Sequence, residues 1–252
     1  MRFVRFAVGS TIGYGLIEDD GQIRAISSTP FLPWEPTNER FDPSTVRILA
    51  PVLPSKVVAV GLNYKAHAEE TGSSLPEEPM LFIKPSTSVI GPGETIYLPP
   101  QSRRVDHEGE LAIVIGKAAR NVGDVTAAEA ILGYTCANDV TARDLQAKDV
   151  QFTRAKGFDT FCPLGPHIVT GLDPSNLELE CRVNGEVRQK TNTSDLVFGA
   201  ASLVAFISSV MTLLPGDVIL TGTPAGISPM NDGDVVEVEL SGVGVLRNPV
   251  SA

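Results

Sequence analysis

The sequence predicts a strand-dominated α+β fold with short helices and a small β-rich unit at the N-terminus. Three observations predict it. Apolar runs are short, roughly four to eight residues, and are separated by clusters of Gly, Pro, Asn and Asp. Helical periodicity is confined to a few stretches, so strands and helices do not alternate as βαβ units require. A Pro-rich stretch containing Pro30, Pro33, Pro36, Pro43, Pro51 and Pro54 sets the first residues apart from the rest. It places a boundary near residue 50 and gives two units, 1–50 and 51–252.

In the first unit, Phe3 to Val8, Gly13 to Glu18 and Gln22 to Ile26 read as strands, with Asp19-Asp20-Gly21 as a hairpin turn. The prolines that follow are expected to interrupt any regular element. Lys56 to Gly61 reads as a buried strand, and Asn63 to Thr71 as a short helix ended by Gly72. Strands are expected at Met80 to Lys84 and around Thr95 to Leu98. In the run Val105 to Gly116, successive side chains alternate between faces, so Glu108 and Glu110 share one. Ala127 to Ile131 is a helix candidate, Gly133 to Asn138 a strand closing on Asp139, and Val140 to Ala147 a turn or short helix. Strands near His167 to Thr170 and Glu178 to Val183 precede a hairpin turn at Asn184-Gly185. Leu196 to Pro215 carries no charge and has roughly the 20-residue length of a membrane span. Its Ser202, Ser208, Ser209 and Thr212 gather on one side of a helix, with Leu203, Phe206, Ile207, Val210 and Leu214 largely elsewhere. That pattern predicts a packed core helix over 196–214, capped by Ser194 or Asp195. Val218 to Thr221, 234–240 and 243–248 complete the strands.

Composition narrows the function. The chain has 252 residues, 42% of them hydrophobic, enough for a full core. A formal net charge of −10 argues against nucleic acid and anionic membranes, which select basic patches. Cys136, Cys162 and Cys181 are odd in number and far apart, so neither a disulfide framework nor a zinc site is expected. The N-terminus lacks the apolar core of an export signal, and a reducing cytoplasm fits best. Phosphate-loop, nucleophile-elbow and dinucleotide-binding motifs are absent, which removes ordinary ATP, α/β-hydrolase and NAD chemistry.

The remaining candidates are few. Glu108, Glu110 and Asp139 form a hard, all-oxygen set suited to Mg²⁺ or Mn²⁺, with coordination positions left for water or a chelating substrate. An isolated Glu-x-Glu also fits a solvated strand face. Here, however, Glu110 abuts Leu111 to Ile115 and Asp139 follows Tyr134 to Asn138, and buried unpaired acids are costly. His67 and Glu70 stand three apart on the predicted helix, a spacing at which the carboxylate can orient the imidazole as a general base; a surface helix would carry the same pair. His107 alternates away from the acids, and His167, beside Pro166 in a strand, reads as a satisfied structural histidine. Lys156, in a weakly charged neighbourhood, suits a substrate carboxylate or plain solvent. Gly222-Thr223-Pro224-Ala225-Gly226, after an apolar strand, suits an anion held by backbone amides and the Thr223 hydroxyl, or a tight strand exit.

Six segments taken together resemble one family: Val60-Gly61-Leu62-Asn63-Tyr64-Lys65-Ala66-His67, Phe82-Ile83-Lys84-Pro85, Glu108-Gly109-Glu110-Leu111, Asn138-Asp139-Val140-Thr141-Ala142-Arg143-Asp144-Leu145-Gln146, Lys156-Gly157-Phe158-Asp159 and Thr221-Gly222-Thr223-Pro224. In this order they resemble the fumarylacetoacetate hydrolase family, from about residue 55 to the C-terminus. The first 50 residues resemble the small N-terminal domain of many bacterial members. The resemblance implies a mixed β-sandwich roll, usually dimeric, with Mg²⁺ or Mn²⁺ held by Glu108, Glu110 and Asp139. It implies that His67 with Glu70 activates water or moves protons, and that Arg143, Gln146, Lys156 and Thr223 hold the substrate and its charge.

Family substrates are 2-oxo acids, which can chelate the metal so that an enolate is stabilised. Isomerisation, as of 2-hydroxyhepta-2,4-diene-1,7-dioate, decarboxylation, as of oxaloacetate, and C–C hydrolysis of an acylpyruvate all pass through it. Members resembling acylpyruvate hydrolases often carry Arg where this chain has Leu62, and the namesake hydrolase adds an acidic ligand where Ala59-Val60 offers none. Isomerase or decarboxylase is therefore expected ahead of hydrolase. A metal-bound 2-oxo acid binding protein without turnover is the reading from another class.

Overall fold

A computed structural model describes residues 1–252 except Thr71 and Ser73. The N-terminal segment forms β1 (Arg2–Val8), β2 (Thr11–Ile17), β3 (Ile23–Ile26), β4 (Pro36–Phe41) and β5 (Arg47–Leu49). The first three match expectation. The Pro-rich stretch does not interrupt all regular structure: β4 and β5 form within it. Pro36 opens β4, which pairs only with β3 at the edge of the sheet, a position where a missing N–H breaks no ladder.

Next come β6 (Val57–Gly61), α1 (Lys65–Glu70), β7 (Met80–Lys84), β8 (Val89–Ile90), β9 (Ile96–Tyr97), β10 (Val105–His107) and β11 (Gly109–Ile115). Helix α1 starts two residues later than the predicted Asn63. Thr71 lies outside the described residues, but Gly72 takes a left-handed φ of 65° and donates to the Glu69 carbonyl, as a terminating glycine should. The centre of the chain forms α2 (Asp124–Ala130), β12 (Ile131–Asn138), β13 (Thr141–Ala142), α3 (Arg143–Lys148), α4 (Thr153–Lys156) and β14 (Cys162–Val169). The rest forms β15 (Glu178–Val183), β16 (Glu186–Asn192), α5 (Ala200–Val210), β17 (Val218–Leu220), β18 (Ser228–Pro229), β19 (Val235–Leu240) and β20 (Gly244–Ser251).

Among the described residues, the strands form three sheets. The largest runs β4-β3-β2-β1-β14-β12-β11-β17-β6-β7, with β5 on β1 and β8 on β14. The second runs β16-β15-β19-β20-β9, and β13-β10-β18 form the third. Strand β11 is buried at every position, so its Leu111 to Ile115 run needs no polar alternation. The main core joins Leu111, Ile113 and Ile115 to Leu179, Cys181, Val238 and Leu246 of the second sheet and to Leu203, Val204 and Ile207 of α5. A separate cluster, with Ala112, Val114, Leu164 and Leu220, covers the alternate positions.

Helix α5 is shorter than the predicted 196–214, and Gly199 occupies its N-cap. Ser194 and Asp195 lie in a separate turn capped by Asn192, so they do not cap the helix. Ser208 is buried: its hydroxyl donates to the Ala205 carbonyl and accepts from the Val122 amide, satisfying it away from water. Among the described residues, no helix is long and apolar enough to cross a membrane.

Candidate active site

The acids converge through a break in the strand. Glu108 and Glu110 do not share the face of one continuous strand, because β10 and β11 belong to different sheets and Glu108 is the junction between them. Pairing fixes the junction: Gly109 opposes Asn138, the Asn138 side chain accepts from the Glu108 amide at 2.9 Å, and the Asp139 amide donates to the Glu108 carbonyl at 2.8 Å. Asp139 therefore emerges from β12 beside Glu108. One carboxylate oxygen from each of Glu108, Glu110 and Asp139 lies within 4.8 Å of the others, and all three residues are buried.

Cations surround two of the three. Lys156, at the end of α4, bridges Glu108 Oε2 at 2.7 Å and Asp139 Oδ2 at 2.6 Å. Arg143, at the start of α3, donates to Glu108 Oε1 at 2.5 Å, Asp106 Oδ2 at 2.9 Å and Gln146 Oε1 at 2.6 Å. Lys84, fully buried at the end of β7, donates to Asp139 Oδ1 at 2.5 Å and the Val140 carbonyl at 3.2 Å. Glu110 has no ion pair among the described residues; its Oε2 accepts from the Gly222 amide at 2.6 Å.

The electrostatics follow. Burial would raise the Glu108 carboxyl, but Lys156 and Arg143 outweigh it and hold the group well below the ordinary carboxylate range. Burial drives Glu110 well upward, and its neighbours Asp139 and Glu108 push it further. Burial lowers Lys156, yet Asp139 and Glu108 outweigh it and keep the ammonium charged. An all-carboxylate set with one uncompensated member fits a hard divalent cation.

The Gly222–Gly226 segment closes one side. Gly222, at φ +100°, stands where a Cβ would meet the Asn63 Cβ at 2.8 Å, so only glycine brings this amide to Glu110. Thr223 Oγ1 donates to the Gly109 carbonyl at 3.0 Å and accepts from Gln189 Nε2 at 2.8 Å. On α1, His67 is buried and its Nδ1 lies 3.2 Å from Glu70 Oε2, while Glu70 Oε1 accepts from the Gly226 amide at 3.0 Å. The carboxylate thus ties the helix to the loop.

A cavity of about 210 Å³ collects these groups. His67, Glu108, Glu110, Asp139, Arg143, Gln146, Lys156 and Thr223 all line it, and Glu70 stands behind His67. His107 points elsewhere, to Gln189 and Ser228, as expected. His167 differs from expectation in part: the ring bonds the Val243 backbone, but among the described residues its buried Nε2 has no hydrogen-bond partner, and burial pushes the imidazole down to about 4.

The structure adds groups that the sequence reading assigned no role. Lys84, buried at the end of the run Met80-Leu81-Phe82-Ile83, carries its own signal, a charge closing an apolar strand. Asp106 anchors Arg143 and Arg104 from full burial. Gln189 left no signal, because Glu186-Val187-Arg188-Gln189-Lys190 reads as a solvated strand in which only Gln189 is fully buried.

A model of the fumarylacetoacetate hydrolase C-terminal domain matches residues 56–251, and one for a Rv2993c-like N-terminal domain matches 1–51. The chain belongs to the fumarylacetoacetate hydrolase family. A structure of 5-carboxymethyl-2-hydroxymuconate delta-isomerase from Mycobacterium smegmatis is 52% identical, superposes with a TM-score of 0.94 and covers 100% of this chain and 99% of its own. For the 2-hydroxyhepta-2,4-diene-1,7-dioate isomerase from Mycobacterium marinum the values are 47%, 0.93, 100% and 98%. The mitochondrial oxaloacetate tautomerase Fahd2a of Rattus norvegicus is 44% identical over 219 residues, 82% of this chain and 70% of that protein. The strand-dominated fold expected from the sequence is the one these family members share.

Proposed function

We propose that the chain is a Mg²⁺- or Mn²⁺-dependent enzyme acting on a 2-oxo acid or its 2-hydroxydienoic form, as an isomerase or decarboxylase. The supporting observation is the buried triad of Glu108, Glu110 and Asp139, open to a cavity that also receives His67 and Lys156. The relatives named as isomerases and as a tautomerase support the proton-transfer version.

In this reading Glu108, Glu110 and Asp139 hold the ion. When bound, it supplies a Lewis acid with open positions for the substrate's carboxylate and 2-oxo oxygens. With Nδ1 of His67 engaged by Glu70, Nε2 is the nitrogen that takes a proton from the carbon next to the 2-oxo group. Lys156 faces the substrate's charge, Arg143 and Gln146 orient the carboxylate, and the Thr223 hydroxyl completes the binding face. The reading includes a homodimer, which the mass of the purified protein in sedimentation checks.

The test is a turnover panel of 2-oxo acids with Mg²⁺, Mn²⁺ or chelator, following enol absorbance and product identity. Turnover that requires the ion and is lost in Asp139→Ala supports the proposal; full activity in chelated protein overturns it. Hydrolysis of an acylpyruvate is the competing reaction, favoured by the His67–Glu70 pair, and His67→Ala separates the two: lost C–C cleavage with retained decarboxylation assigns the pair to water. Calorimetric binding of oxalate without turnover of any panel member indicates a binding protein.

A further inference from the structure

The cavity is divided by chemistry. Its lining holds the three acids, Arg143 and Lys156 together with an apolar wall of Val60, Leu62, Met80, Phe82 and Phe152, built where β6 pairs with β7. Phe82 marks the border. The Lys156 ammonium lies 5.1 Å from the centroid of its ring, and Phe152 packs against it edge-to-face at 5.5 Å. Among the described residues, Lys156 and Arg143 are the lysine and arginine that line the cavity, and His67 is the one further titratable base there. Both lining cations stand with the acids, Lys156 on Glu108 and Asp139 and Arg143 on Glu108 and Asp106, where the proposed function gives them to the 2-oxo acid end.

The apolar wall is held in place at a cost. Leu62 has a φ of 54°, a conformation that a branched residue avoids unless its surroundings impose it. They do so through the adjacent Asn63, fully buried, whose amide donates to the carbonyls of Phe198 at 3.0 Å and Thr221 at 2.7 Å and accepts from the Phe198 amide at 2.8 Å. Opposite it, the terminal methyl of Met80 lies over Gly61 in the space a Cβ there would fill. Leu62, Phe82 and Phe152 remain partly open and Met80 exposed, so these apolar groups line the cavity uncovered.

Taking the metal-site reading of the proposed function as its basis, we infer that the preferred substrate carries its 2-oxo acid at one end and an uncharged, apolar or aromatic segment at the other. A second carboxylate placed against Leu62, Met80 and Phe152 would lose water and find no lysine or arginine besides those given to the 2-oxo acid end. An alkyl or aryl tail would bury apolar surface against the same wall.

The test compares two ligands that differ only at the far end, N-propyloxamate and N-(2-carboxyethyl)oxamate, titrated calorimetrically into Mg²⁺-loaded protein, with oxamate as the common anchor. The propyl compound is expected to bind at least about tenfold more tightly than the carboxyethyl compound. Leu62→Arg should shrink or reverse that ratio, and Met80→Arg, on a separate strand, should do the same if the first variant fails to fold. Equal or stronger binding of the carboxyethyl compound overturns the inference, as does binding of oxamate with rejection of both tails. If oxamate itself does not bind, the metal-site reading fails and the inference with it. Matched turnover of oxaloacetate and an acylpyruvate separates the cases further: metal-dependent turnover that favours the dicarboxylate keeps the reading and overturns the inference alone.

Discussion

Two clusters of charge in this molecule differ chiefly in burial. On the second sheet, Arg182 pairs with Glu180, Glu237 and Glu239 while Lys190 and Arg247 extend the ladder, with side chains 18–68% exposed. At the acid triad, Lys84, Lys156, Glu108 and Asp139 form pairs with side chains no more than 6% exposed. Water screens the first cluster, so each pair there contributes little; in the second every lost partner strands a charge. The comparison teaches that the buried cluster is not arranged for stability alone: among the described residues its third acid, Glu110, has no ion pair, which fits the proposed metal site.

Glu110→Gln should break the comparison most. Turnover and Mg²⁺ affinity should fall by more than about a hundredfold, since even the outer partners of metal ligands cost ten- to a hundredfold. In chelated protein the same change should raise the melting temperature, because burial, Asp139 and Glu108 force this carboxyl either to take up a proton or to stay charged at a cost, whereas the neutral amide carries neither cost and keeps an acceptor for the Gly222 amide. Thermal melts with and without Mg²⁺ check both halves. A chelated variant that melts below wild type would mean that Glu110 carries no such cost.

Lys84→Met acts in the opposite sense. Asp139 would lose the cation on its Oδ1 at zero exposure, and breaking a buried pair of this kind costs about 3–5 kcal/mol. Urea unfolding of the chelated protein measures it. A loss under about 1 kcal/mol would show that Lys156 alone compensates Asp139.

Much of this was legible in the sequence, for a physical reason: acids set against Leu111 to Ile115 and Tyr134 to Asn138 are out of place in apolar strands, and a charge out of place has a role. The convergence of Glu108, Glu110 and Asp139 could be anticipated, but not its cause, since the sheet change at Glu108 is a tertiary event. Strand β4 was hidden because a proline signal does not distinguish an edge strand from a connector. Gln189 and the left-handed Leu62 were hidden because nothing local marks either; one is buried by a neighbouring sheet and the other is strained by the hydrogen bonds of Asn63.

His167 sharpens the comparison with a polar group that burial chiefly controls, Arg2 adding to the shift and a hydrogen bond to the Val243 backbone opposing it. Its imidazole, pushed down by burial to about 4 from an ordinary 6.5, stays neutral in the folded chain while the unfolded chain takes up a proton. Stability is therefore complete above pH 6.5, drains away between 6.5 and 4, and falls no further on this account below 4. The difference is about 2–3 kcal/mol at 1.36 kcal/mol per pH unit, reduced for partial exposure. His167→Asn should flatten that slope relative to wild type in denaturant unfolding across the window. A parallel pair of curves would place the protonation elsewhere.

Arg182→Met is the smallest expected effect and the direct counterpart of Lys84→Met. It removes three ion pairs at once from the surface ladder, with Glu180 at 2.7 Å, Glu239 at 2.8 Å and Glu237 at 3.1 Å. By count it should matter more than losing the one pair of Lys84. By burial it should matter less, because the three glutamates can turn to water and Lys190 and Arg247 still reach Glu180 and Glu237. The expected cost is below about 1 kcal/mol, shrinking further in 0.5–1 M salt, where exposed pairs are screened and the Lys84 pair is not. Urea unfolding of the two variants at low and high salt decides whether burial or the number of pairs sets the energy of charge in this fold.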